Sequence, residues 1–175
     1  MGRPKDKDRN QTIYLLKGVS MKPVYIKYLI ESVHEIFDEN FGMETQKGKV
    51  SFYTHGLKAD VGAVISLTGD LEGDIILMLD ESVALEIASR MFQEEIKKLD
   101  DLTLSSITEL LNFIAGRMIT KLSQLKYDND ITPPELFLKK KLYFDENQYL
   151  ACHIVFKCEV GTLEFALAKK KTDQS

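Results

Sequence analysis

LSSITELLNFIAGRMITKLSQL, residues 104–125, decides how the rest of the chain is read. Ile107, Leu110, Leu111, Ile114, Met118 and Leu125 recur at helical spacing and mark one buried helix face. A second row, Ser105, Glu109, Asn112 and Gly116, advances by four, three and four residues. At 100° per residue it lies roughly 160° from the centre of the apolar stripe. A carboxylate and a carboxamide are therefore expected side by side on a firmly packed helix. The Asn112 amide can donate and accept at once, which suits holding a water molecule in one orientation, and Glu109 can receive a cation from a partner. Gly116 costs about 1 kcal/mol of helix propensity relative to alanine, which points to something approaching the backbone there. A polar row on a surface helix is, however, usually just its solvated side.

The composition fits a folded chain. With 175 residues, 44% hydrophobic and 29% charged, it is long enough for one domain, or two fused half-domains, with a substantial core. The formal charge of −4, and the lack of a basic cluster with interleaved aromatics beyond the first ten residues, argue against a nucleic-acid partner. No apolar run approaches the ~18–20 residues of a membrane span. Cys152 and Cys158 form no CxxC and no metal-ligand cluster with His34, His55 or His153, so no metal site is expected. Both read as reduced thiols of a cytoplasmic protein, six residues apart on one strand and too distant to bridge without bending. The charged N-terminus lacks the apolar stretch of a signal peptide.

Outward from the central stretch, residues 1–20 read as a flexible N-terminal arm or extension, residues 21–170 as a single domain, and 171–175 as a frayed tail, with fraying expected already after Ala168. Met21 is a possible biological start. From Pro23, the stripe Ile26, Leu29, Ile30, Val33, Ile36 and Phe37 predicts a helix that stops at Gly42. Strands are expected at Lys49–Thr54, Val61–Thr68 and Asp74–Leu79, separated by glycine-containing turns, the last two as a hairpin. Asp80 is expected to cap a helix over Glu81–Phe92, and Gln93–Asp101 to be a polar connector. After Pro133 and Pro134, strands are expected at Leu136–Tyr143, Tyr149–Phe156 and Thr162–Leu167.

The order hints at duplication of a helix-plus-three-strand unit. Lys27, Glu31, His34 and Asp38 stand 78 positions before Ser105, Glu109, Asn112 and Gly116, so Glu31 matches Glu109 and His34 stands in place of Asn112. ISLTGDLEGDIIL (65–77) reads like IVFKCEVGTLEF (154–165). The predicted fold class is α+β: an antiparallel-rich sheet of about six strands with two long helices packed on it.

DVGAVISLTGDLEG (60–73), ALEIASRM (84–91) and ITELLNFIAG (107–116) resemble the CheC/CheX phosphatases of bacterial chemotaxis, the CheX-like members in particular. The resemblance covers most of the chain after Met21. The family pattern is Asp or Ser, Glu four residues on, Asn three further and a proline about two dozen later; Ser105, Glu109 and Asn112 match it, with Pro133 or Pro134 near the expected distance. The resemblance implies hydrolysis of the aspartyl-phosphate of a CheY-like response regulator. Asn112 would place the attacking water, Glu109 would pair with the regulator's active-site lysine, and Ser105 and Gly116 would support them. It implies no cofactor on this chain, with Mg expected on the phosphorylated partner, and it implies a homodimer. CheC-like members can carry a Glu/Asn pair on both long helices; Glu31 and His34 would then be a degenerate second site, because imidazole lacks the adjoining carbonyl and amino groups of a carboxamide. The alternative is a non-catalytic binding or scaffolding module of the chemotaxis and flagellar switch apparatus, whose middle domains this fold also resembles.

Overall fold

The computed structural model describes residues 15–16, 19–52 and 56–172. Strands β1 (Leu15–Leu16) and β2 (Val19–Ser20) pair antiparallel ahead of the body. The remainder of the expected arm lies outside the described residues, as do residues 173–175 and residues 53–55, which hold the end of the strand expected at Lys49–Thr54 and the start of the turn after it. Met21 is fully buried in the main core.

Helix α1 (Pro23–Phe41) has proline in its first turn and buries Ile26, Leu29, Val33, Ile36 and Phe37, as their spacing required. Gly42 ends it at φ 59°, a left-handed conformation that glycine adopts without a Cβ clash. Its N–H donates to the Asp38 carbonyl at 2.9 Å, and the Met43 N–H donates to the Phe37 carbonyl at 3.2 Å. Strands β3 (Gln46–Ser51), β4 (Leu57–Gly69) and β5 (Gly73–Leu79) follow, β4 and β5 forming the expected hairpin. Helix α2 (Glu81–Phe92) departs from the sequence reading at its start. Asp80 occupies the cap position without a side-chain cap bond, and the carboxylate of Asp60 on β4 accepts from the Glu81 N–H at 3.0 Å instead. The cap is therefore tertiary, which local spacing could not reveal.

Helix α3 (Asp101–Gln124) begins inside what the sequence offered as connector, because the Asp100 side chain accepts from the Thr103 N–H at 3.1 Å and caps it. Its buried stripe closes with Leu122; Leu125, expected in that stripe, is the C-cap residue and 51% exposed. Strands β6 (Asn129–Ile131), β7 (Glu135–Leu142), β8 (Tyr149–Cys158) and β9 (Gly161–Lys170) complete the described chain. β6 is the strand the sequence reading missed, its three residues being too few to show alternation. The tail is ordered further than expected: Lys169 and Lys170 stand opposite Leu150 and Tyr149, and the Lys171 N–H donates to the Gln148 carbonyl at 2.7 Å.

The seven-stranded antiparallel sheet runs β3-β8-β9-β5-β4-β6, with β7 also paired to β4. Two units, α1-β3-β4-β5 and α3-β7-β8-β9, meet where β5 lies beside β9. Each unit sends its first strand to the other's hairpin, β3 to β8 and β7 to β4, the exchange expected of two repeats related by a pseudo-two-fold. All three helices contribute to one core with Ile65, Leu77, Ile154, Phe156 and Phe165 of the sheet. A smaller cluster, Ala59, Ile76, Met78, Phe137 and Ala166, is separate from it. Phe137 lies against Gly62, where a Cβ would stand 2.1 Å from the ring, so a side chain there would have to displace the ring. The sheet and the other helices thus fix α3 from behind: Ile107, Leu110, Leu111, Ile114 and Met118 are all 0% exposed.

Candidate functional site

That burial fixes the orientation of the opposite side of α3. Ser105, Glu109 and Asn112 are exposed, and Gly116 is partly so. Glu109 and Asn112 are three positions apart, neighbours on a helix surface. Among the described residues neither side chain has a hydrogen-bond or ion-pair partner, so both keep their full capacity for one from outside. The Ser105 hydroxyl makes no bond to Glu109 either; the Ser105 carbonyl accepts from Thr108 Oγ1 at 2.9 Å. A Cβ built on Gly116 would meet nothing within 4 Å, so that position is open to an incoming molecule. Pro133 and Pro134 lie in the link between β6 and β7, outside any strand. The chemistry of this face is that of a rigid platform. It offers one acceptor with negative charge and one group that both donates and accepts.

The matching positions on α1 are occupied differently. Glu31 faces Lys121 Nζ at 3.3 Å and Lys27 Nζ at 3.7 Å. His34 Nδ1 lies 2.5 Å from Thr45 Oγ1, and its ring meets Phe156 edge-on at a centroid distance of 5.5 Å. Glu35 pairs with Lys121 at 2.6 Å and Arg117 at 2.8 Å. Arg117 forks onto Glu39 at 2.6 and 3.0 Å. Acidic residues 31, 35 and 39 rise along α1 while their partners descend from 121 to 117 on α3, so the two helices run antiparallel and are laced together. Hydrogen bonding to Lys121, then to Arg117, holds the Glu35 carboxyl below its usual range. Glu35, followed by Glu31, raises the Lys121 ammonium, and Glu39 with Glu35 raises the Arg117 guanidinium.

The sequence reading missed this lattice. Its signal was present as two rows at four-residue spacing, Glu31/Glu35/Glu39 and Arg117/Lys121, each indistinguishable from a solvated face until the helices are set side by side. Both cysteines are free thiols on β8, and burial pushes the Cys152 thiol up to about 12. Among the described residues no group of three His, Cys, Asp or Glu side chains is placed to hold a metal ion, and no helix is long and apolar enough to cross a membrane.

Comparison with known proteins agrees with this architecture. The sequence model of the family described as "Chemotaxis phosphatase CheX" matches residues 61–157, which include α3. The CheY-P phosphatase CheX of Thermotoga maritima is 38% identical over 111 residues, covering 62% of this chain and 72% of that protein. Among solved structures, the CheX-CheY-BeF3-Mg2+ complex from Borrelia burgdorferi matches with a TM-score of 0.73 and 25% identity, over 84% of this chain and 98% of that one. A CheC-like superfamily protein from Shewanella sp. PV-4 matches with a TM-score of 0.78 and 21% identity, over 86% of this chain and 100% of that one, which bears on the fold. The chain belongs to the CheX family of chemotaxis phosphatases.

Proposed function

We propose that this chain hydrolyses the aspartyl-phosphate of a CheY-like response regulator, with Asn112 and Glu109 as its working side chains. One observation carries the residue assignment: these are neighbouring polar groups without intramolecular partners, exposed on a helix whose reverse side is wholly buried. Membership of a chemotaxis phosphatase family supports the reaction class. The Thermotoga relative is named for CheY-P, and the Borrelia relative was solved with CheY, BeF3 and Mg2+.

An acyl phosphate is already activated, so positioning an in-line water supplies much of the acceleration. The Asn112 carboxamide accepts a hydrogen bond from that water and turns a lone pair toward phosphorus. The water oxygen bonds to phosphorus as the bond to the aspartyl oxygen breaks. The aspartate leaves as a carboxylate, and inorganic phosphate and a proton pass to solvent. Glu109 receives the lysine ammonium of the receiver and so fixes the depth at which Asn112 enters. Mg2+ belongs to the receiver in this scheme, neutralising phosphoryl charge. Ser105 and Gly116 flank the pair, Gly116 leaving room for the approaching backbone.

A homodimer joined along a sheet edge is part of the same proposal. β3 forms one margin of the sheet and β6 with β7, both paired to β4, form the other, where Lys139, Lys140 and Lys141 of β7 guard against further pairing; sedimentation of the purified chain measures its state. The catalytic proposal is tested by following dephosphorylation of a CheY-like receiver with and without the chain. Acceleration by wild type that disappears in Asn112→Ala is expected. Full activity in Asn112→Ala would sink the assignment.

A further inference from the structure

Leu102 and Phe113 break the pattern of the face they occupy. Helix α3 presents Ser105, Glu109 and Asn112 to solvent, yet Leu102 is 38% and Phe113 40% exposed on the same helix. Seven residues back and four residues forward from Glu109 are rotations of about 20° and about 40°, so the two apolar side chains bracket the carboxylate along one stripe. The fold does not ask for them there. At the matching position of α1, 78 residues earlier, Phe113 is replaced by Glu35, whose carboxylate is held by Lys121 at 2.6 Å and Arg117 at 2.8 Å. Leu102 is matched by Val24, which packs against the core. The repeat thus carries a paired charge in one copy where it carries an exposed ring in the other.

We infer that Leu102 and Phe113 are apolar contacts that seat the phosphorylated receiver domain around Glu109 and Asn112, and that they govern affinity more than the chemical step. This inference rests on the function proposed above. A partner that covers the two side chains also covers the carboxylate between them, and a carboxylate buried without a cation is strongly unfavourable. A receiver brings a lysine ammonium to Glu109 and a phosphoryl group to Asn112. A second copy docking through the same face brings carboxylate toward carboxylate. The occupant that satisfies the charge is the receiver.

Truncating an apolar anchor at the centre of such a contact costs on the order of tenfold in affinity. The experiment measures KM and kcat for a phosphorylated CheY-like receiver with wild type, Phe113→Ala, Phe113→Leu and Leu102→Ala, with sedimentation of each. The expected result is a KM raised about tenfold in Phe113→Ala and severalfold in Leu102→Ala, with kcat changed less than about twofold and KM largely restored in Phe113→Leu. Unchanged KM in both alanine variants overturns the inference while leaving the phosphatase reading intact. A change of oligomeric state at constant KM overturns it in favour of contact between copies. Absence of activity in wild type overturns the phosphatase reading and this inference with it.

Discussion

On α1 the carboxylate of Glu31 meets Lys121 at 3.3 Å and Lys27 at 3.7 Å, while on α3 the carboxylate of Glu109, 78 positions later, meets no side chain among the described residues. Both helices are amphipathic, both pack on the same sheet, and both belong to a repeated unit. The difference lies in what stands opposite each carboxylate. Arg117 and Lys121 project from α3 toward α1 and consume the acidic row there, and His34 turns to Thr45 and the Phe156 ring. One copy of the pattern has become an interhelical clasp. The other leaves Glu109 and Asn112 exposed and without a partner among the described residues. On the proposed reading, the repeat supplies a site once and a support for that site once, from nearly the same starting pattern.

The largest expected effect lies on α3. Asn112→Ala should lower kcat for a phosphorylated receiver by on the order of 10²-fold, the scale of removing one positioned polar group, while His34→Ala leaves it within about twofold. Comparable losses in both variants would mean that the α1 face also acts on phosphate. Next comes the carboxylate pair. Glu109→Ala should reduce kcat/KM by about 10- to 100-fold through loss of a charge-assisted contact, whereas Glu31→Ala should be almost silent in the same assay. An active-site role for Glu31 would reverse that ranking.

Stability should show the opposite sensitivity, with smaller magnitudes. Arg117→Ala is expected to lower Tm by no more than about 2–4 °C at low salt, with the gap closing near 1 M salt, because the ion pairs it removes are solvent-accessible. A salt-independent loss would instead indicate that the guanidinium acts through packing. The smallest effect concerns pH. The Glu35 carboxyl is held below its ordinary value, so its contribution to stability is present above the unfolded value of about 4.3 and is lost as pH falls through the lower folded value. Lys121 is raised, so its contribution is present below about 10.4 and is lost as pH rises through the higher folded value. Chemical unfolding of wild type against Glu35→Gln should show a difference that is flat near neutrality and shrinks below about pH 4. A difference undiminished at about pH 2.5 would detach Glu35 from the clasp.

Much of this comparison was legible before any coordinates. The stripes of α1 and α3 rest on local periodicity, and the Gly42 stop and the β4–β5 hairpin on glycine at a helix end and in a turn, signals that a linear chain displays directly. The cap of α2 was misplaced because Asp60 reaches it from another strand. Leu125 was misplaced because it follows the last helical residue, where helical periodicity no longer applies. β6 escaped notice because it owes its conformation to Leu67, Thr68 and Gly69 opposite it.

The sequence by itself determined which side of residues 104–125 turns inward, since burying Ile107, Leu110, Leu111, Ile114 and Met118 leaves Glu109 and Asn112 facing outward. Only the tertiary structure decided which acidic residues would be spoken for. A carboxylate's partner depends on what another helix brings within about 4 Å, and Arg117 and Lys121 reach their α1 partners from 78 to 90 residues away along the chain.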